Sequence, residues 1–108
     1  MSDRELLELA AKAAGIEVFF DDDGDCYRIK ASGSRNYWNP ITFDGDALRL
    51  AMKLLIQIYP DKDEVEIFHM EIGYIVEPTN GDVLDATRRA IVRAAAEIGR
   101  QMQEDGAA

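Results

Sequence analysis

Residues 16–31, IEVFFDDDGDCYRIKA, constrain the fold more than any other part of the chain. Apolar and polar residues alternate on both sides of Asp23-Gly24, a strong signal for a two-residue type I′ turn in which both residues take a positive φ. With that turn, Phe20 faces Tyr27 on an apolar face, and Cys26 lies on the polar face. A slip of one residue would mix the two faces. The segment therefore predicts an antiparallel hairpin of defined register.

Three segments have the period of amphipathic helices. Residues 3–14 stop before Gly15, a residue type that favours the left-handed backbone at a helix end. The second helix is expected to begin at about Asp44. The third covers about residues 82–102, and its arginines, Arg88 among them, are expected to point outward.

The remaining periodic segments read as strands. Residues 55–59 alternate and end at Pro60. Residues 64–77 also alternate, and the sequence leaves open whether they form one bent strand or two. The resulting order, α-β-β-α-β-β(β)-α, predicts an α+β fold in which an antiparallel sheet of four to five strands has helices packed on it. We expect one domain over residues 1–103 and a frayed tail over 104–108.

The charge distribution argues against some classes of partner. The chain has 12 Lys+Arg against 21 Asp+Glu, a net charge of −9 at pH 7, and affinity for nucleic acid depends on cations that neutralise phosphates. The acidity lies in two blocks, residues 17–25 and 61–77, whereas residues 26–53 are net positive. The sequence lacks an apolar stretch of membrane-spanning length and an apolar leader at its start, and Cys26 is its only cysteine. We therefore expect no membrane contact, no direct nucleic-acid binding and a cytoplasmic protein.

No residue pattern points to catalysis, a metal or a cofactor. The acidic run beginning at Asp21 fails as a calcium loop, because its sixth and twelfth positions are Cys26 and Ser32 instead of glycine and glutamate. Cys26 and His69 each lack a second ligand of their own kind, and no sequence context supports a Cys–His nucleophile pair. We therefore expect a protein that is not an enzyme and that has no cofactor.

Residues 37–54, YWNPITFDGDALRLAMKL, carry the signals of a helix entry. Asn39 before Pro40 favours an extended backbone, and Asp44 is the expected cap of the helix. Trp38 is either a core side chain or an interface anchor. Tyr37, its neighbour, should point the other way and is the better surface candidate.

Two blocks, WNPITFDGDALRLAMKL and DATRRAIVRAAAEIGRQM, resemble the signature blocks of the phage ABA sandwich domain family of small phage and prophage proteins. In that family a Trp-Asn-Pro precedes an acidic turn and a helix, and an alanine- and arginine-rich helix closes the domain. The resemblance spans roughly residues 1–103 and implies a helix–sheet–helix sandwich and a phage or prophage origin. It implies no activity and no catalytic residues. The segment 64–78 departs from the family pattern because it is short and apolar.

These observations predict a small acidic phage accessory protein that binds a host protein with a basic surface, in the cytoplasm of an infected or lysogenic bacterium. In its sharpest form it is an anti-CRISPR-like counter-defence inhibitor and DNA mimic, which presents carboxylates where phosphates would bind. The candidate binding residues are two groups of acids and one aromatic side chain: Asp21, Asp22, Asp23, Asp25, Tyr37, Asp61, Asp63, Glu64 and Glu66. The alternative is a non-catalytic phage module for small-molecule sequestration or assembly. A homodimer through a sheet edge stays open.

Overall fold

The computed structural model describes residues 1–107. Its elements are three helices and six strands: α1 (Asp3–Ala14), β1 (Val18–Phe20), β2 (Cys26–Ile29), β3 (Arg35–Tyr37), α2 (Asp44–Leu54), β4 (Gln57–Pro60), β5 (Glu64–His69), β6 (Gly73–Pro78) and α3 (Val83–Ala107). None of the helices in this part of the chain is both long and apolar enough to cross a membrane.

The strands form two separate antiparallel sheets. The first sheet has the order β1-β2-β3 and the second has the order β4-β5-β6. The α+β class with antiparallel pairing is therefore confirmed. The prediction of a single sheet of four to five strands is wrong, because α2 separates two meanders that each pair only with their own neighbours.

The second sheet is covered by a helix on one face only. Val65 and Ile67 are fully buried on the face that packs against α3. Tyr59, Tyr74 and Val76, which the alternation of the strands places on the opposite face, are exposed. Among residues 1–107, no helix covers the other face of this sheet, so the expected helix–sheet–helix sandwich does not form here.

Helix α3 is the element on which the rest of the structure packs, since it contacts α1, α2 and the second sheet. Its buried stripe consists mainly of small side chains: Ala86, Ala90, Ala94, Ala95 and Ala96. At Gly99 the backbone of α1 approaches so closely that a Cβ atom would lie 2.0 Å from the carbonyl oxygen of Leu9. Small residues on α3 therefore permit a close crossing of the two helices.

The first helix has the predicted boundaries. The Ser2 side chain accepts a hydrogen bond from the backbone N–H of Glu5, and Gly15 takes the left-handed φ of 68°. The second helix also begins near its predicted start, but Phe43, not Asp44, occupies the N-cap position. Helix α3 is capped by Asp82, whose Oδ1 accepts from the N–H of Asp85 at 2.9 Å.

Helix α3 extends beyond its expected end near residue 102. Of the tail expected at 104–108, residues 104–107 continue this helix, and residue 108 lies outside the described part of the chain.

The open question about residues 64–77 is resolved as a hairpin of two strands. Strands β5 and β6 pair from Glu64↔Pro78 to His69↔Gly73. The turn between them is stabilised by His69, whose Nδ1 accepts a hydrogen bond from the N–H of Glu71 at 3.2 Å.

The first hairpin forms, but its register is one residue away from the predicted one. Phe20 pairs with Cys26 and Phe19 pairs with Tyr27, so Cys26 is buried instead of lying on the wet face. The connection is the segment 21–25, in which Gly24 takes a φ of 86°, not the two-residue type I′ turn. The stretch expected to be a loop after it, residues 32–36, contributes part of a third strand, β3.

Candidate functional site

The most distinctive surface feature is an acidic turn, residues 21–25, at the end of the first hairpin. Asp21 builds this turn, because its Oδ1 accepts hydrogen bonds from the N–H of Asp23 at 3.0 Å and of Asp25 at 2.9 Å. Asp21 is partly buried, whereas Asp22, Asp23 and Asp25 are exposed. The Asp21 carboxylate therefore stabilises the turn, and the carboxylates of Asp22, Asp23 and Asp25 are directed at solvent.

The same turn brings three carboxylates into a cluster. Ligand atoms of Asp21, Asp23 and Asp25 lie within 4.8 Å of one another, an arrangement that the calcium-loop pattern did not anticipate. One oxygen of Asp21 is already engaged with two backbone N–H groups. Since exposed acidic groups of this kind are common without a cation, we interpret the cluster as a concentrated negative charge.

A row of stacked rings lies across the first sheet. We call Phe19, Tyr27 and Tyr37 the aromatic row. The rings of Phe19 and Tyr27 are stacked with centroids 5.1 Å apart, and those of Tyr27 and Tyr37 are stacked at 4.7 Å. The guanidinium of Arg35 lies 5.3 Å from the centroid of Phe19, within the range of a cation–π contact.

The aromatic row and the acidic turn are electrostatically linked. The pKa of the Tyr27 phenol is raised, first by its interaction with the Tyr37 hydroxyl, then by desolvation and by the Asp21 carboxylate. Tyr27 therefore stays a neutral hydrogen-bond donor at physiological pH. Tyr37 at the end of the row is 61% exposed, so the row offers an accessible apolar and polarisable edge beside the negative turn.

Sequence reasoning missed the aromatic row because of the register error. In the predicted register Phe19 faces Arg28 and Tyr27 lies on the core side. The observed register sets Phe19, Tyr27 and Tyr37 side by side on successive strands. Only Tyr37 was identified as a surface candidate, and it is exposed as expected.

The second group of candidate acids lies on the second sheet, not on the first. Asp61 and Asp63 are exposed in the turn between β4 and β5, and Glu64 is exposed at the start of β5. Glu66 is partly buried, and its cross-strand neighbours are Tyr59 and Val76. The residues beside Glu66 on the neighbouring strands are therefore aromatic and aliphatic.

The Trp-Asn-Pro stretch acts as the entry to α2. Trp38 is 4% exposed and belongs to the core. The Asn39 Oδ1 accepts from the N–H of Ile41 at 3.0 Å, while the Asp46 Oδ2 accepts from the N–H of Asn39 at 3.0 Å. These bonds hold the extended segment against the first turn of the helix, so the stretch is structural.

Arg88 is one of the residues that hold this entry in place, contrary to the prediction that it points outward. Its side chain is 17% exposed. Its Nε donates to the carbonyl oxygen of Ile41 at 2.9 Å, and its Nη1 donates to the Asp44 Oδ1 at 2.7 Å. The guanidinium thus fixes α3 to the segment that precedes α2.

The geometry gives no support to a Cys26–His69 nucleophile. Burial, followed by the nearby Glu8 carboxylate, raises the pKa of the Cys26 thiol from 9.0 to about 11. A thiol with such a pKa is almost fully protonated at neutral pH, and the thiolate is the reactive form. The His69 Nδ1 is engaged in the β5–β6 turn.

A cleft of about 410 Å³ opens between the start of α1, the β5–β6 hairpin and α3. It is lined by Met1, Leu6, Ile72, Ile75, Arg93, Ala96 and Glu97. Its two charged groups are already engaged: Arg93 pairs with Glu77, and Glu97 pairs with Arg100, whose hydrogen bond lowers the pKa of Glu97. The cleft is therefore mainly an apolar concavity.

No family model, no curated protein and no solved structure matches this chain. The resemblance to the phage ABA sandwich domain family thus rests on the two sequence blocks alone.

Proposed function

We propose that this protein is a non-enzymatic binding module whose acidic turn contacts a basic surface on a partner protein. The observation that carries the proposal is the position of the acidic turn beside the aromatic row, in which Phe19 and Tyr27 are partly buried and Tyr37 is exposed. Three solvent-directed carboxylates and the exposed Tyr37 lie on one small sheet.

The two parts of this surface supply different contributions to binding. Clustered carboxylates attract a basic partner at long range and orient the encounter. Aromatic side chains at an interface contribute most of the affinity once they are desolvated, and their faces accept arginine and lysine. A partner rich in arginine or lysine fits both parts.

In its sharpest form the proposal is counter-defence by a phage protein. The resemblance suggests a phage or prophage origin and so a bacterial cytoplasm, and the charge of −9 suits a protein that occupies a nucleic-acid groove. Such an inhibitor would present carboxylates at positions where phosphates bind. The acids Asp61, Asp63, Glu64 and Glu66 would be a second contact region, on the other sheet.

The test is capture of a partner from bacterial host lysate with tagged protein, comparing three forms. The wild type is compared with a turn variant, Asp22→Asn, Asp23→Asn and Asp25→Asn, which keeps the Asp21 carboxylate that builds the turn. A matched control, Glu5→Gln, Glu71→Gln and Asp105→Asn, removes the same number of charges from exposed positions elsewhere.

We expect the wild type and the control to retain one basic partner at low salt and to release it as salt rises. The turn variant should fail to retain it, and Tyr37→Ala should weaken retention. For the mimic form, added duplex DNA should displace the partner. Equal capture by the turn variant and the control would refute the assignment of the acidic turn.

The apolar cleft favours a second candidate function, a module for small-molecule sequestration or assembly. Its volume of about 410 Å³ lies within the roughly 300–1,000 Å³ of small-molecule pockets. A ligand bound there should raise the unfolding temperature independently of salt. Ala96→Leu, which narrows the cleft, should remove that shift, whereas the turn variant should keep it.

A further inference from the structure

A second concave site carries mainly positive charged side chains, in contrast to the acidic turn. A cavity of about 210 Å³ is formed where the end of α1, β2 and α2 meet. It is lined by Ala14, Ile16, Arg28, Trp38, Asp46, Arg49, Leu50 and Lys53. We propose that this cavity, the basic pocket, binds a small oxyanion of the phosphate class.

The charge of the basic pocket is opposite to that of the whole chain. Three cationic side chains, Arg28, Arg49 and Lys53, line it together with a single carboxylate, Asp46. The chain as a whole carries a charge of −9. An excess of cations concentrated in a cavity of so acidic a protein selects for anions, because the remaining surface repels them.

The single carboxylate does not neutralise the pocket. Asp46 is 9% exposed, and its Oδ1 accepts from Arg49 at 2.7 Å while its Oδ2 accepts from the N–H of Asn39. Both oxygens are therefore engaged, and Asp46 holds the Arg49 guanidinium at the rim. Gly45 leaves room for this arrangement, since a Cβ there would lie 3.2 Å from Arg49.

The other two cations keep their charge available. Within residues 1–107, neither Arg28 nor Lys53 forms an ion pair with an acidic side chain. A guanidinium offers planar, paired N–H donors that match the oxygens of a phosphate, and an ammonium acts as a point charge for the same group.

The floor of the pocket strengthens these interactions. Trp38 and Leu50 are almost completely buried and apolar, so charges above them are less screened than on open surface. Two of the last carbonyl groups of α1, those of Ala11 and Lys12, already accept hydrogen bonds from the N–H groups that follow the helix.

The size of the pocket limits the ligand. Its volume of about 210 Å³ is below the roughly 300–1,000 Å³ of pockets for drug-sized molecules. It fits inorganic phosphate or the phosphoryl group of a small ester better than a complete nucleotide. This site shares no residue with the acidic turn or the aromatic row, so the inference does not depend on the proposed partner binding.

The chain contains its own probe for the test. Trp38 is the only tryptophan and lines the basic pocket, so its fluorescence reports on an anion bound there. Wild-type protein is titrated with inorganic phosphate at pH 7.5 and constant ionic strength, in parallel with glycerol 3-phosphate. Circular dichroism verifies that every variant is folded.

We expect a saturable change in Trp38 emission with phosphate. Arg28→Gln combined with Lys53→Gln, both exposed residues, should raise the dissociation constant at least tenfold. The control, Lys62→Gln combined with Arg89→Gln, removes the same charges outside the pocket and should keep the wild-type value. Tighter binding of glycerol 3-phosphate would identify an organic phosphate as the ligand, and tighter binding of inorganic phosphate would identify the free anion.

Two results would overturn the inference. One is the absence of a saturable change in wild-type protein up to roughly 10 mM phosphate, about tenfold above the upper end of typical KM values for small substrates. The other is an equal dissociation constant in the pocket variant and the control. The single variants Arg28→Gln and Lys53→Gln are measured as well, so the result does not depend on one double variant.

Discussion

Single residues decide how closely the elements of this protein approach one another. The sharpest case is Gly99, where the backbone of α1 occupies the space that a side chain would need. The apolar face of α3 is visible in the sequence, but periodicity does not show which of its small residues meets another backbone.

We predict that Gly99→Ala destabilises the protein by about 3 kcal/mol or more, because overpacking against a backbone cannot be relieved by a rotamer change. Gly106→Ala in the same helix is the control, since a Cβ there has no neighbour within 4 Å. That control should be neutral or slightly stabilising, as alanine favours a helix. Urea unfolding measures both variants, and equal effects would contradict the close crossing.

A second prediction at this scale concerns the pH dependence of stability. The Cys26 thiol has a pKa of about 11 in the folded protein against 9.0 for an ordinary thiol. Between these values the unfolded chain has released a proton that the folded chain still holds. The contribution of the Cys26 thiol to the free energy of unfolding is therefore fully present below pH 9. It is lost as the pH rises to 11, by roughly 2–3 kcal/mol in total.

The measurement is urea unfolding at pH 8 and pH 10.5 for the wild type and for Cys26→Ala. Other groups also titrate in this range, so the quantity that matters is the difference between the two pH profiles. The variant should lose less stability than the wild type on going to pH 10.5. Parallel profiles would show that burial of the thiol does not govern this loss.

At the scale of elements, the first hairpin shows how a side chain sets a register. The dipeptide Asp23-Gly24 favours a two-residue turn, yet the structure has a longer loop, in which Asp21 accepts two backbone hydrogen bonds. The longer loop moves β2 by one residue, which buries Cys26 and stacks Tyr27 on Phe19.

We therefore predict that Asp21→Ala costs about 1–2 kcal/mol of stability, since two net hydrogen bonds of modest strength are lost. Asp21→Asn should cost less than about 0.5 kcal/mol, because the amide oxygen accepts the same bonds. Asp22→Ala serves as the control, as its side chain accepts none of the hydrogen bonds described. Thermal unfolding of the three variants should rank them in this order, and a large loss in Asp22→Ala would contradict it.

Sequence signals located the helices well and the sheets less well, for physical reasons. Ser2 and Gly15 bound α1 through local hydrogen bonds and a backbone preference, and such local signals are readable. Strand β3 is short and fully exposed, so it lacks the alternation that identifies a strand. The acidic residues of the candidate site are visible in the sequence as a run of aspartates. The aromatic row was not, because it exists only in the observed register.

At the scale of the whole molecule, the two sheets differ in how firmly they are attached. The second sheet packs directly on α3, whereas the first sheet makes far fewer contacts with the helices. The first sheet is held to the core chiefly through Cys26, Trp38 and the partly buried Val18 and Phe20. The candidate binding surface thus lies on the less firmly held part of the fold.

We predict that backbone amides of the first sheet exchange with solvent through local opening, at a lower free energy than those of the second sheet. Regions with few buried contacts open before the whole protein unfolds. Hydrogen exchange followed by NMR should show Tyr27 and Arg28 exchanging well before Val65 and Ile67. Equal opening free energies would mean that the two sheets unfold as one cooperative unit.

The close crossing at Gly99 also bears on the order in which a ribosome delivers the chain. Helix α1 is complete at residue 14, but the surface that receives it includes residue 99. At typical translation rates of about 5–20 residues per second, the intervening 85 residues (99 − 14) take roughly 4–17 seconds to synthesise. During that interval the apolar face of α1 and, once it is made, that of the second sheet lack α3, their main helical partner. We therefore expect the nascent chain to expose apolar surface until late in its synthesis and to fold cooperatively only once α3 has emerged.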